Sequence, residues 1–97
     1  MTDTEGPGPD LEREKEGLEA YPLDTLRMVG TLSKGGESWG LVKASDGVVH
    51  RVQPGNYLGQ NFGKIIGIQD HQIDLGEWVA TTAGRWRERE ASLALAE

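Results

Sequence analysis

The segment VHRVQPGNYLGQNFGKI, residues 49–65, decides the fold of this chain. It joins two β-like runs through Pro54 and Gly55, which suit the central pair of a type II turn because proline presets a negative φ and glycine accepts the positive φ that follows. The segment contains no cysteine, serine or acidic side chain that could act as a nucleophile or general acid. A stretch that constrains the backbone and lacks reactive groups indicates architecture and recognition rather than catalysis.

Two other interpretations of the glycines in this segment fail on chemistry. A phosphate-binding loop needs four residues between its glycines and a hydroxyl residue after its lysine, whereas three residues separate Gly59 from Gly63 and Ile65 follows Lys64. Glycines recur at every fourth position over residues 55–67, a spacing that packs membrane helices together, but Pro54 before them and the asparagines and glutamine between them are unsuited to hydrocarbon. We therefore interpret them as turn and bulge glycines of a β protein.

The flanking sequence alternates with the two-residue period of β-strands. In residues 26–32 this period places Met28 and Leu32 on one face of a first strand. Asp46 and Gly47 predict a two-residue hairpin in which both central residues have positive φ. Similar runs follow along the chain, separated by turn residues about every eight to twelve positions. The pattern predicts an all-β fold, a small β-sandwich of about six or seven short strands or a partly closed barrel.

The chain before the first strand has a different composition. Residues 1–19 hold seven of the sixteen acidic side chains against two basic ones, and Leu11 and Leu18 are the only large apolar side chains after the first methionine. Such a segment cannot bury enough apolar surface to offset its ordering entropy. We therefore divide the chain into a disordered acidic segment at residues 1–22 and a β-sandwich domain at residues 23–97.

Composition narrows the function classes. Cysteine is absent, which removes disulfides and thiolate metal sites. His50 and His71 lack the spacing of metal ligands, so no metal or cofactor is predicted. The chain after residue 19 carries nine acids and eight bases and no concentrated basic face of the kind that nucleic acid prefers. No apolar run approaches the roughly 18 residues that cross a bilayer as a helix.

The aromatic side chains leave two interpretations open. Trp39, Tyr57, Trp78 and Trp86 make up most of the aromatic content, and we expect them to dominate the core of a domain this small. Exposed rings would instead form a stacking platform, and the chain would then be a small β-barrel module that binds single-stranded nucleic acid or glycan.

Four motifs, taken in order, resemble one family. They are LRMVGTL at 26–32, WGLV at 39–42, DGVVHRV at 46–52 and GNYLGQNFGKI at 55–65. Together they are similar to the periplasmic domains of the PilP family, inner-membrane lipoproteins of type IV pilus assembly. The similarity covers about residues 20–95.

The resemblance implies a small β-sandwich related to the homology region of type II secretion component C, and a non-enzymatic, periplasmic role in pilus biogenesis and twitching motility. Family members connect the inner-membrane proteins PilN and PilO, through the extended segment before the β-domain, to the N-domains of the outer-membrane secretin PilQ. The lipid-bearing N-terminal cysteine of the family has no counterpart here. We expect any membrane anchor to belong to a portion missing from this chain.

Two sets of partner-binding residues are expected from this resemblance. An edge strand offers unpaired backbone groups to a partner strand, and the expected secretin-facing residues of the first strand are Met28, Val29, Thr31 and Leu32. The N-terminal segment is expected to become ordered on PilN and PilO. Its contact residues are expected to be Leu11, Leu18, Tyr21 and Leu23.

Overall fold

A computed structural model describes residues 7–96 of the chain. This range contains seven strands in two antiparallel sheets and two short 3-10 turns, Gly17–Ala20 and Leu23–Thr25. The strands are β1 Arg27–Lys34, β2 Glu37–Lys43, β3 Val49–Val52, β4 Tyr57–Leu58, β5 Gly63–Ile68, β6 Gln72–Ala80 and β7 Trp86–Ala94. The prediction of an all-β sandwich with six or seven short strands is confirmed.

Each sheet keeps the strands in chain order. Sheet 1 has the order β1-β2-β3 and sheet 2 the order β4-β5-β6-β7, so the segment that decides the fold carries the chain from one sheet to the other. Pro54 and Gly55 form the predicted turn, in which the Asn56 N–H donates to the Gln53 carbonyl at 3.0 Å and the φ of Gly55 is 98°.

The hairpin between β2 and β3 differs from its prediction. Gly47 has a φ of 86°, but Asp46 does not have a positive φ. The Ala44 N–H donates to the Val48 carbonyl at 3.0 Å, which closes a loop of three residues rather than two. A three-residue loop needs positive φ only at its last position, so one glycine is sufficient.

The core between the sheets is aliphatic. Its buried side chains are Leu18, Leu26, Met28, Val42, Ala44, Val52, Leu58, Ile65, Ile73, Leu75 and Leu93. The sheets approach closely at Gly40, where an added Cβ would lie 3.0 Å from the Ile73 Cδ1. The expectation that tryptophans dominate the core is wrong: Trp39, Trp78 and Trp86 are all half-buried. Their strand positions place them on the outer faces, opposite the core residues in the period of two.

A bulge in β1 changes which side chains face the core. The pairing of β1 with β2 slips at Val29, so Met28 lies opposite Val42 whereas Leu32 lies opposite Trp39 on the outer face. An inserted residue reverses the alternation of the rest of the strand. The predicted shared face of Met28 and Leu32 is therefore wrong.

Residues 7–22 lie against the sandwich, which differs from the expected disorder of this segment. Leu18 is 5% exposed and belongs to the core cluster, and the Gly59 N–H donates to its carbonyl at 3.1 Å. Charged side chains of the segment find partners that the composition did not indicate, among them Arg13 and Glu19. The division of the chain between residues 22 and 23 stays a prediction, but Leu18 packs with the domain.

Candidate docking surfaces

The outer flank of β1 divides into a covered half and an open half. Up to Met28 the flank is covered by the end of the chain, because Met28 forms a parallel bridge with Leu95 and the Ala96 N–H donates to the Met28 carbonyl at 2.8 Å. From Gly30 to Lys34 no strand of the described range pairs with this flank. Its unpaired backbone groups make this half of β1 a candidate site for an added partner strand.

The four predicted residues of β1 have different environments. Val29 and Leu32 are 40% and 38% exposed, and Thr31 is also exposed. Met28 is fully buried in the core, so its side chain cannot reach a partner while the strand stays folded. The structure therefore brings three of the four residues to the open edge.

An apolar strip extends this edge across the outer face of sheet 1. Leu32 lies directly opposite Trp39, and Leu41 lies opposite Arg51 on the next strand pair. The Arg51 guanidinium sits 5.3 Å from the centroid of the Trp39 ring, within cation–π range. A partner strand on β1 would thus meet exposed apolar side chains with a cationic group beside them.

The four predicted contact residues of the N-terminal segment also differ in exposure. Leu11 is 64% exposed and free to meet a partner, whereas Leu18 is in the core. Tyr21 is half-buried and donates a hydrogen bond from its hydroxyl to the Asp46 carboxylate at 3.1 Å. Leu23 packs against the core cluster next to Gly59. Only Leu11 is available without moving the segment.

Three charged side chains, Arg13, Glu16 and Glu19, bond to one another within the segment, and Glu16 also joins it to the domain; we call this set the clamp. Arg13 donates two hydrogen bonds to the Glu19 carboxylate, at 3.0 and 2.7 Å, and the Glu16 N–H donates a third at 2.8 Å. Burial alone would raise the pKa of Glu19, but the Arg13 hydrogen bonds and the Glu16 N–H outweigh it and hold this pKa below its ordinary value. The Glu16 carboxylate in turn accepts from the Tyr57 N–H at 3.1 Å and from the Asn56 amide at 3.2 Å.

The sequence analysis predicted a disordered segment from these charges and missed the clamp. One signal was present: Glu16 and Glu19 have the spacing of a capping box, in which the side chains of the first and fourth residues bond each other's backbone. The structure forms such a box at the turn that begins with Gly17. The partners in the domain, Asn56 and Tyr57, are 40 and 41 residues away along the chain, and no local pattern identifies them.

The two histidines lie apart in the fold. His50 lies opposite Val42, and its buried Nε2 has no hydrogen-bond partner among residues 7–96, whereas His71 is exposed in the turn before β6. Within residues 7–96 no three histidine, aspartate or glutamate side chains converge on a point where they could hold a metal ion. In the same range no helix has the length and apolar character needed for a bilayer crossing.

Comparison with known proteins identifies the same family over almost the whole chain. The family model described as "Pilus assembly protein, PilP" matches residues 1–95. The chain is 47% identical over 89 residues to the type IV pilus inner membrane component PilP of Pseudomonas aeruginosa. That match covers 92% of this chain and 51% of the relative, so the chain spans about half the length of the curated protein it matches.

Solved structures of PilP domains have the same fold. A domain of the type IV pilus biogenesis lipoprotein PilP from Pseudomonas aeruginosa superposes with a TM-score of 0.84 at 46% identity, covering 91% of this chain and all of that one. A domain of the PilP pilot protein of Neisseria meningitidis superposes with a TM-score of 0.68 at 43% identity, covering 98% of this chain and 84% of that one.

Proposed function

The chain belongs to the PilP family of pilus assembly proteins, and on that premise we propose that it is a non-enzymatic linker of the type IV pilus machinery in the periplasm. In this proposal the sandwich binds the N-domains of the secretin PilQ, and the N-terminal segment binds the inner-membrane proteins PilN and PilO. In this proposal the protein acts at the periplasmic side of the inner membrane. The relatives named as an inner membrane component and as a lipoprotein support this location.

The proposed contact with the secretin rests on the open half of β1. An added strand would satisfy the backbone groups from Gly30 to Lys34, and the exposed side chains of Val29 and Leu32 would supply selectivity. The apolar strip with Trp39 and the neighbouring Arg51 has the aromatic and arginine character that is common at interface hot spots.

A pair of matched variants tests this assignment. Leu32→Glu places a charge on the open edge, and Val48→Glu places the same charge at a side chain that is 50% exposed in the loop before β3. We expect Leu32→Glu to weaken binding to PilQ N-domains about tenfold or more, and Val48→Glu to leave it within about twofold, because central hot-spot contacts are worth about 1.4 kcal/mol or more.

Amide NMR shifts during the same titration locate the contact. Perturbations should concentrate at residues 29–34, and both variants should keep the wild-type free energy of unfolding within about 0.5 kcal/mol because the altered side chains are exposed. If saturating PilQ N-domains shift no amide of the wild-type chain, the proposed link to the secretin is wrong.

The inner-membrane assignment needs a substitution rather than a deletion. Removing residues 1–22 would also remove the core side chain of Leu18, so lost binding could reflect lost folding. Leu11→Glu changes the exposed apolar side chain of the segment and leaves Leu18 in place. We expect it to weaken binding to a PilN–PilO complex at least about fivefold, and wild-type affinity in this variant would contradict a contact through Leu11.

The nucleic-acid and glycan alternative gains no support from the ring positions. Its platform requires exposed rings, whereas Trp39, Trp78, Trp86 and Tyr57 are half-buried. Arg51 lies over the ring of Trp39 and Arg13 lies over that of Tyr57.

A further inference from the structure

An aromatic groove crosses the outer face of sheet 2. Its floor contains the rings of Tyr57, Phe62, Trp78 and Trp86, with Ile66 exposed beside them. The Phe62 and Trp86 rings meet edge to face, with centroids 5.6 Å apart and planes at 86°. On a small domain, rings grouped in this way on an outer face indicate a surface that binds something.

The occupant of the groove is the start of the described chain. Gly8 lies so close to Trp86 that an added Cβ would be 2.8 Å from the indole Cδ1. Farther along, the Arg13 guanidinium lies 3.4 Å from the Tyr57 ring centroid, and the Lys15 ammonium lies 5.3 Å from that of Phe62. Three contacts in eight residues, each of one segment residue with one ring, describe a peptide with a turn at residues 11–13 that lies against the groove.

The contacts of this peptide are suited to reversible docking. Between residues 7 and 16 the only large apolar side chain is Leu11, and it points to solvent with 64% exposure. The segment is held instead by a glycine, two cationic side chains, the Arg13–Glu19 pair and the hydrogen bonds of Glu16 to Asn56 and Tyr57, and such contacts bury little apolar surface. The firmly anchored part begins at Leu18, which lies in the core.

We propose that the aromatic groove is a docking surface for residues 7–16 of the chain itself, and that this segment must leave the groove before PilN and PilO can bind it fully. The second half rests on the proposed function, because it takes PilN and PilO as the segment's partners. A segment bound to its own domain is unavailable to another protein, so the apparent dissociation constant rises in inverse proportion to the released fraction.

Two glycine substitutions in the same segment test the docked state without any partner. Gly8→Ala adds a methyl group against Trp86, whereas Gly17→Ala adds the same methyl group where no atom of the described residues lies within 4 Å. In Gly8→Ala we expect the Trp86 indole N–H resonance to move and the amide order parameters of residues 8–15 to fall below about 0.6, the range of flexible backbone. Gly17→Ala should keep both at wild-type values.

A second variant, Arg13→Ala, tests the same docked state, and a series of protein concentrations serves as the control. Arg13→Ala removes the ring contact and the ion pair without touching Gly8, and it should loosen the same residues. If neither Gly8→Ala nor Arg13→Ala changes the order parameters, or if both glycine variants change them equally, the docked segment is not a feature of the protein in solution. Order parameters that rise with protein concentration would assign the occupant to a second copy and overturn docking within one chain.

Binding to a PilN–PilO complex tests the second half of the proposal, that the segment must leave the groove before these partners can bind it. We expect Gly8→Ala to bind at least about threefold more tightly than Gly17→Ala, because a larger fraction of its segments is released. Equal or weaker binding by Gly8→Ala, with the NMR result positive, would overturn the competition. If neither the wild type nor any variant binds, the proposed function fails while the docked segment stands on the NMR measurement alone.

Discussion

Replacing Leu18 by alanine tests whether the N-terminal segment is part of the folded domain. The Leu18 side chain is 5% exposed and joins the core cluster, although it stands on a four-residue 3-10 turn at the margin of the sandwich. Buried leucine-to-alanine changes cost about 2–5 kcal/mol, depending on how far the site can collapse. The marginal position favours the lower end, and we expect a loss of about 2 kcal/mol.

Urea unfolding followed by tryptophan fluorescence measures this loss. The transition midpoint should fall while the denaturant slope stays the same, because the surface that unfolding exposes changes little. In a domain of this size, about 2 kcal/mol corresponds to a drop in Tm of about 8–16 °C. Leu11→Ala is the matched control, since it makes the same change in the same segment at a side chain that is 64% exposed. It should stay within about 0.5 kcal/mol of wild type.

The comparison has a clear contrary outcome. If Leu18→Ala also stays within about 0.5 kcal/mol of wild type, the segment contributes nothing to the fold and residues 1–22 behave as the composition predicted. If Leu18→Ala and Leu11→Ala lower the free energy of unfolding by equal and large amounts, the two side chains do not differ in burial in solution.

Three further measurements follow from the structure. The pKa of Glu19 is lowered in the folded protein, so ionised Glu19 stabilises the fold above its ordinary pKa of 4.5, and this contribution is lost as pH falls through the native pKa. The difference in unfolding free energy between wild type and Glu19→Gln should therefore be largest near neutral pH and should shrink in acid. A difference that does not depend on pH would contradict the clamp. Gly40→Ala should lower the free energy of unfolding by about 1–3 kcal/mol, because the added Cβ would lie 3.0 Å from Ile73. Gly30→Ala, whose Cβ would lie 3.8 Å from Leu41, should cost less than about 1 kcal/mol. Equal losses in urea unfolding would refute the close approach of the sheets. Arg89→Met should lower the free energy of unfolding by about 1–3 kcal/mol, because it leaves the buried Glu77 without its 2.8 Å ion pair. Arg87→Met, which changes an exposed side chain on the same strand, should be nearly neutral. Calorimetric Tm values that do not separate the two variants would contradict this role of Arg89.

The sequence was sufficient for the fold class because strand period and turn chemistry are local. Pro54 and Gly55 form the turn that their backbone preferences require, and the runs before and after them pair as strands. The bulge at Val29 could not be predicted locally, because it leaves no mark in the apolar pattern of the sequence. Its position is set by how β1 pairs with β2. That single bulge is why Leu32 lies on the outer face.

The N-terminal segment shows a second limit of local reasoning. Charge density and scarce apolar residues normally indicate disorder, and they are averages over a window. The position of the segment depends instead on individual contacts, namely the core packing of Leu18 and the hydrogen bonds of Glu16 to Asn56 and Tyr57. The candidate edge was predicted as a strand, but which of its side chains are exposed depends on the bulge and on the bridge from Leu95.

The hairpin that carries the open edge is a two-stranded ribbon for much of its length. β3 pairs with β2 only from Gly40 onward, and residues 31–38 are all exposed, so no core lies beneath the tip. Isolated two-stranded ribbons are marginally stable in water. A partner strand on β1 would convert the ribbon into a three-stranded sheet and would slow hydrogen exchange at Glu37–Trp39, whose backbone pairs with β1 and not with the partner strand. Binding of such a strand and completion of the fold would therefore be thermodynamically linked at this end of the molecule.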